Sequence, residues 1–458
     1  MKETISSNGD VKQGFVQNST PDDNNPRTKT EEVIVINGDN KDVNGKDLHV
    51  LEDGNRQVKA NSSFLHTVLN MAGIIIGLGQ LSIPYALQNG GWASAFLLVG
   101  FGVLCTYTAH LLGKCLKRNE NARHYSDIGY HAFGSKGRTL TSTFIYLMVF
   151  MALVSYTISL SDNLTRIFAE KHLQIPWLHL STSQLLTVSA VLIALPSLWV
   201  RDLSTVSLLS TAGIFMSLLI FSTVVYTAIF SGAKSNREIA VLRLHNIPAI
   251  SGLYVYCFNS HFVFPNIYKS MKDPSKFTKA SIVSFTLVTI LYTSMAFMGA
   301  KLFGPEVKSQ VTLSMPKHLI VTKIALWATV LTPMTKYAIQ FAPVAMKLDH
   351  KLPSTMSYRA RFLLRGAIGS LLLLCVLVLA LLVPFFQHVL GLAGSLISMS
   401  LSIIFPCSFY TKIFWSQISK PHLVLNVVII TFGVILGAFG TVQSSKSLVQ
   451  SLERRHAQ

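Results

Sequence analysis

Beyond residue 62 the chain alternates long apolar runs with short polar connections. Eleven runs can be marked, at about 63–88, 92–113, 139–162, 183–200, 204–230, 246–268, 278–300, 318–346, 362–383, 385–411 and 421–444. Most reach the roughly 20 residues that a helix needs to cross a hydrocarbon core. The run at 183–200 is at the short limit, and the boundary near Val383–Pro384 is the least sharp. Backbone in lipid must satisfy its own hydrogen bonds, so runs of this length read as helices. The pattern predicts an all-α membrane protein with about 11 transmembrane helices over 63–445 and a short C-terminal tail over 446–458. Residues 1–62 are rich in Asn, Asp, Lys, Gly and Ser and show no helical period, which predicts a disordered cytosolic tail. Its stretch Glu31-Glu32-Val33-Ile34-Val35-Ile36 reads first as an isolated apolar segment and second as a sorting or partner-docking patch.

Two runs carry interruptions. The first contains Gly77, Gly79 and Pro84, and the sixth contains Asn259-Ser260-His261 followed by Pro265. Each interruption weakens a helical ladder. Freed backbone at bilayer depth has to meet protein, water or ligand. Interrupted spans at matching places in two halves point to an inverted-repeat transporter with its site at the midplane. The expected architecture is a 5+5 inverted repeat with broken first and sixth helices and a peripheral eleventh. One such span alone would be read as close helix packing, since Gly and Pro are common in membrane helices. Two at this spacing favour a substrate site. A half-helix starting near Gly79 offers N–H groups and a positive dipole end to a carboxylate. Unwound carbonyls around Phe258-Asn259-Ser260 suit an ammonium group, so one zwitterion would satisfy both breaks.

Composition sharpens this picture. Charged residues make up 13% of the chain and mean hydropathy is +0.44, against about 25% charged in a soluble domain. The first 62 residues hold 11 acids and 8 bases, and the rest 10 acids and 31 bases. The bases lie in short clusters between apolar runs and form no single stripe, which reads as positive-inside bias and excludes a nucleic-acid binder or a cytosolic enzyme. With the tail in the cytosol, Lys and Arg number 18 in loops on that side and 11 on the other, so the N-terminus is expected to be cytosolic. The polar start MKETISSNGD has no apolar core of a signal peptide. Five cysteines without a CxxC spacing imply neither disulfide framework nor metal site, and nothing calls for a cofactor.

The order and spacing of several stretches resemble the amino acid/auxin permease family, closest to its plant and fungal vacuolar members. They include Gly77-Leu78-Gly79-Gln80-Leu81-Ser82-Ile83-Pro84-Tyr85-Ala86, Gly90-Gly91-Trp92, Tyr125-Ser126-Asp127-Ile128-Gly129, Ser161-Asp162-Asn163-Leu164, Leu198-Trp199-Val200-Arg201-Asp202, Val263-Phe264-Pro265-Asn266-Ile267-Tyr268 and Thr335-Lys336-Tyr337-Ala338. The resemblance implies the eleven-helix fold of the amino acid–polyamine–organocation superfamily and proton-coupled amino acid transport across the vacuolar membrane. It carries over Gly77, Leu78 and Gly79 of the first break, and Asn259, Ser260 and His261 of the second.

None of the ten acids beyond the tail lies mid-span, so a buried carboxylate relay is not expected. His261 and Lys336 are the candidates for proton coupling. Histidine titrates between a neutral cytosol and an acidic lumen, and an intramembrane lysine is costly enough to suggest function. Lys336 also suits the place where sodium-coupled relatives hold their ion. The plainer readings are a hydrogen-bonded structural histidine and a snorkelling lysine. Thr332 and Thr335 are expected to line the cavity, and Asn70 to hold unwound backbone. Lys323, His66, His110 and His388 lie nearer span ends, where interfacial packing is expected. The absence of mid-span acids favours neutral amino acids as substrates, while Lys336 leaves anionic ones open.

An enzyme is the rival class. Aspartyl proteolysis in the membrane needs two aspartates at depth, and the pair His388 and Ser395 is as readily helix packing. Other readings are a proton symporter, at the plasma membrane or exporting from the vacuole, and an amino-acid sensor. The expected partners are an amino acid, protons and the bilayer, with no nucleic acid and no obligate protein partner.

Overall fold

The computed structural model describes residues 62–119, 121–169, 181–199, 203–230, 232, 238–351, 353 and 356–457. The tail expected over 1–62, with its Glu31–Ile36 patch, lies outside them except for Ser62. The described residues form helices, and their only extended pairing is an isolated bridge between Ser62 and Met271.

The first apolar run is two helices. Ser63 caps α1 (Phe64–Ile75) by accepting from the His66 amide at 3.3 Å. Ile76 and Gly77 are extended, a 3-10 turn covers Leu78–Ser82, and α2 (Ile83–Gly90) follows, so the two pieces are bent by 51°. Pro84 sits in the first turn of α2, where its missing N–H costs nothing. The proline therefore starts the second piece, and the glycine stretch makes the break. α2 ends at Gly91, whose φ of 85° belongs to the left-handed region. Backbone at 240–243 packs there, with Ala93 N donating to Val241 O at 2.9 Å and Arg243 N to Gly90 O at 2.9 Å.

Single helices fill the next runs: α3 (Ser94–Arg118), α4 (Tyr125–Ile167), α5 (Thr182–Trp199) and α6 (Leu203–Phe230). α4 begins well before its apolar run and kinks at Phe133 and Gly134, the latter at φ 65°. The sixth run is again split, into α7 (Ile247–Cys257) and α8 (Phe264–Ser270), with a 3-10 turn at His261–Val263 between them. Pro265 lies in the first turn of α8, as Pro84 does in α2. Then come α9 (Phe277–Phe303), α10 (Ile320–Lys351) and α11 (Tyr358–Leu382). The tenth run holds α12 (Phe386–Leu392), wide π-helical turns over Ala393–Ser398 and Ser400–Ile404, and α13 (Phe405–Ile413).

The last helix, α14 (Lys420–His456), runs through the residues expected to be a separate tail. Polar contacts hold that extension: His388 Nε2 lies 3.0 Å from Ser451 Oγ, and Arg455 donates to Leu381 O at 3.3 Å. Seven described helices are long and apolar enough to cross a membrane, or eight with the bent first pair as one span. Phe96, Leu371, Val424 and Phe439 stand exposed on α3, α11 and α14, an apolar exterior that lipid would cover.

Inside, α10 packs on α4 and α6, α3 on α9, and α7 on the π-helical stretch and α14. Both α1 and α2 lean on α9. The approach of α7 to the tenth run is tightest at Gly252 and Gly394, where a methyl group on Gly394 would overlap the Gly252 carbonyl.

Candidate substrate site at two helix breaks

Ending a helix inside a bilayer leaves its last carbonyls without donors, and following them locates the site. Ile75 O accepts from Tyr292 Oη of α9 at 2.8 Å, and the same hydroxyl lies 3.2 Å from Cys257 O at the end of α7. One tyrosine thus spans both breaks. Ile76 O accepts from Lys336 Nζ of α10 at 3.0 Å. The lysine reaches the negative end of the α1 dipole, which stabilises a cation with no carboxylate beside it. Gly213 of α6 makes room for its stem: a Cβ there would stand 3.1 Å from Lys336 Cε and 3.2 Å from Thr335 Oγ1.

The first N–H groups of the Leu78–Ser82 turn point the other way along the axis and have no partner within the turn. Gly79 places this backbone directly on the second break, since an added Cβ would lie 2.9 Å from Cys257 Sγ and 3.2 Å from Cys257 Cα. Gly77 is looser, with Lys336 Nζ at 4.0 Å from the same construction. Gln80 donates to Ser217 O of α6 at 3.2 Å, leaving its own buried oxygen free.

At the second break Asn259 Oδ1 accepts from Ser402 Oγ of the π-helical stretch at 2.9 Å. Its Nδ2 is buried and has no acceptor, so it is a free donor at the junction. Ser260 Oγ donates weakly to Phe258 O, at 3.4 Å. Beside the junction lie three largely buried tyrosines. Tyr337 Oη is 2.6 Å from Thr157 Oγ1, the Tyr156 and Tyr337 rings meet edge-on at 5.9 Å, and Tyr256 Cδ1 stands 3.4 Å from the Gly79 Cβ position.

The structure therefore gathers Gly77, Leu78, Gly79, Asn259 and Lys336, with Ser260 next to them. His261 faces elsewhere. It is fully buried, its Nε2 lies 2.9 Å from Thr108 Oγ1 and 3.1 Å from Cys105 O of α3, and its ring packs on Phe264 and Phe285. Nδ1 has no partner. The neutral tautomer with the proton on Nε2 leaves only a bare acceptor unpaired, the cheaper arrangement.

Thr332 and Thr335 donate to Ala328 O and Thr332 O of their own helix, at 2.7 and 2.8 Å. Asn70 lies within α1, and Tyr292 and Lys336 hold the unwound carbonyls that Asn70 was expected to hold. Asn163 is buried and bonds to Ser159 O and Gln310 Oε1. His388 pairs with Ser451 and not with Ser395. Tyr292, Tyr256, Ser402 and Gly213 were missed by sequence reasoning. Only their polar or small character inside apolar runs could have flagged them. Among the described residues no three His, Cys, Asp or Glu side chains gather as a metal would need.

Residues 60–446 match the family model "Transmembrane amino acid transporter protein". The chain belongs to that family. Relatives within the family include the Arabidopsis thaliana amino acid transporter AVT1H, 57% identical over 86% of this chain and 92% of that one. The Arabidopsis amino acid transporter AVT1E is 37% identical, covering 86% and 75%. The inward-facing conformation of Mhp1 superposes with a TM-score of 0.52 at 12% identity, covering 88% of this chain and 92% of that one, and the two share a fold. The family is one of transporters, and the chain is a multi-pass membrane amino acid transporter and not an enzyme.

Proposed function

We propose that the chain exchanges protons for neutral amino acids across the vacuolar membrane, loading the acidic lumen, with its N-terminus in the cytosol. It does so through eleven spans arranged as a 5+5 inverted repeat with a peripheral eleventh. The observation that carries the reading is the Lys336 ammonium donating to Ile76 O at the broken first helix. The substrate carboxylate sits on the N–H groups at Leu78 and Gly79 and on Asn259 Nδ2, and its ammonium sits on the backbone at 258–260. Protonated, Lys336 holds the end of α1 through a charge-assisted bond, about twice as strong as a neutral one. On losing the proton it weakens that hold, and α1 is released to move relative to α10. His261, which faces α3 and not the open helix ends, is the second candidate for coupling, through the Nδ1 that has no partner. The vacuolar assignment is supported by the motif resemblance and the membership of the amino acid transporter family.

The test is uptake into proteoliposomes with an acidified lumen, repeated after the gradient is collapsed. Accumulation that needs the gradient is the expected result. Accumulation only with the gradient reversed would replace antiport with symport, and binding without flux would make the chain a sensor.

A further inference from the structure

A cavity of about 560 Å³ opens where the C-terminal end of α3, the end of α8 and the start of α9 meet, away from both helix breaks. Lys114 and Lys117 of α3 and Lys269 of α8 line it, with Leu116, Tyr268 and Phe277 as apolar wall. Lys114 also lies 5.5 Å from the centre of the Tyr410 ring, a cation–π contact that fixes its position. The nearby described carboxylates are engaged. Asp127 accepts from Arg138 at 3.2 Å and from the amides of Arg123 and His124 at 3.0 and 2.9 Å. Asp273 pairs with Lys276 at 3.2 Å. Hydrogen bonds from Ser275 and Lys276 hold the Asp273 carboxyl below the usual carboxylate range, so it stays ionised and committed to its own turn. At Lys269, Arg123 adds to the positive field and Asp127 opposes it.

Lysines that only set membrane orientation need nothing more than to reach water. These three converge on one cavity from two helices, and Lys114 and Lys269 are half-buried. The cavity lies at helix ends, the depth at which lipid phosphates sit, and basic pockets between membrane helices at that depth hold anionic headgroups. We propose that it binds the phosphorylated headgroup of an anionic membrane lipid, clasped between Lys117 and Lys269 with Lys114 behind. Such a headgroup ties α3 to α8, the half-helix that follows the second break.

The test uses the full chain in phosphatidylcholine vesicles with or without a minor fraction of phosphatidylinositol monophosphate. The lipid retained through purification is then counted by mass spectrometry. The wild type is expected to retain the phosphorylated lipid. At about 1 kcal/mol per lysine near the surface, K117A/K269A should bind it about thirtyfold more weakly, and the exposed single variant K117A about fivefold. K301A/K308A removes the same charge from exposed positions at the far end of α9 and beyond, and should behave as wild type. Equal retention by K117A/K269A and wild type would overturn the proposal. So would equal loss in K301A/K308A, or binding of soluble inositol phosphate as tight as that of the lipid.

Discussion

Gly77 and Gly79 stand two residues apart in the first break, yet the structure separates them. A methyl group on Gly77 meets only ordinary contacts at 4.0 Å, whereas one on Gly79 presses on Cys257 at 2.9 and 3.2 Å. Gly77→Ala is therefore expected to keep most uptake. Gly79→Ala should lose about 1–3 kcal/mol of stability through overpacking and most of its uptake, measured by thermal melting and liposome flux. Valine at either position should abolish uptake. Lys336→Met removes the cation from Ile76 O, and uptake by that variant should no longer follow the pH gradient. Retained gradient dependence would pass the coupling role to His261. Tyr292→Phe deprives Ile75 O and Cys257 O of their shared donor, at about 1–3 kcal/mol for buried carbonyls left unpaired. The two glycines were legible as sequence because they fall with Pro84 in one run that a second interrupted run matches, and the lysine because a charge inside an apolar run is costly. Tyr292 was not, because a tyrosine in an apolar run reads as packing until the carbonyls it caps are seen.

Among the helices, legibility depended on whether the cause of an element lies inside its own residues. Both broken runs were visible because glycine or a polar triplet interrupts a local ladder. The role of the prolines was not, since Pro84 and Pro265 begin α2 and α8. Pro84→Ala is accordingly expected to change stability by no more than about 1 kcal/mol, readable in a melting curve. The π-helical turns of the tenth run were invisible, because their extra residue per turn answers to the approach of α7 at Gly252 and Gly394. That widened backbone delivers Ser402 to Asn259, in keeping with π-turns clustering at functional sites. Ser402→Ala leaves the Asn259 amide unanchored. It should raise the KM for the amino acid about fivefold with little change in maximal rate, the loss of about one hydrogen bond.

At the scale of the molecule, the all-helical membrane class was legible in the spacing of apolar runs, while the polar scaffold between distant segments was not. Asp162, Asn163 and Ser159 of α4 form one cluster with Gln310 and Thr312, with bonds of 2.7 to 3.0 Å. No periodicity connects residues about 150 positions apart. The same holds for Ser62, whose N–H donates to Ser270 O at 2.9 Å while its carbonyl accepts from Lys272 N at 3.0 Å. Those two bonds yoke the start of the first broken helix to the finish of the second. Swinging one piece away from the other would break both bonds, at about 1 kcal/mol each, a cost that movement of the two together avoids.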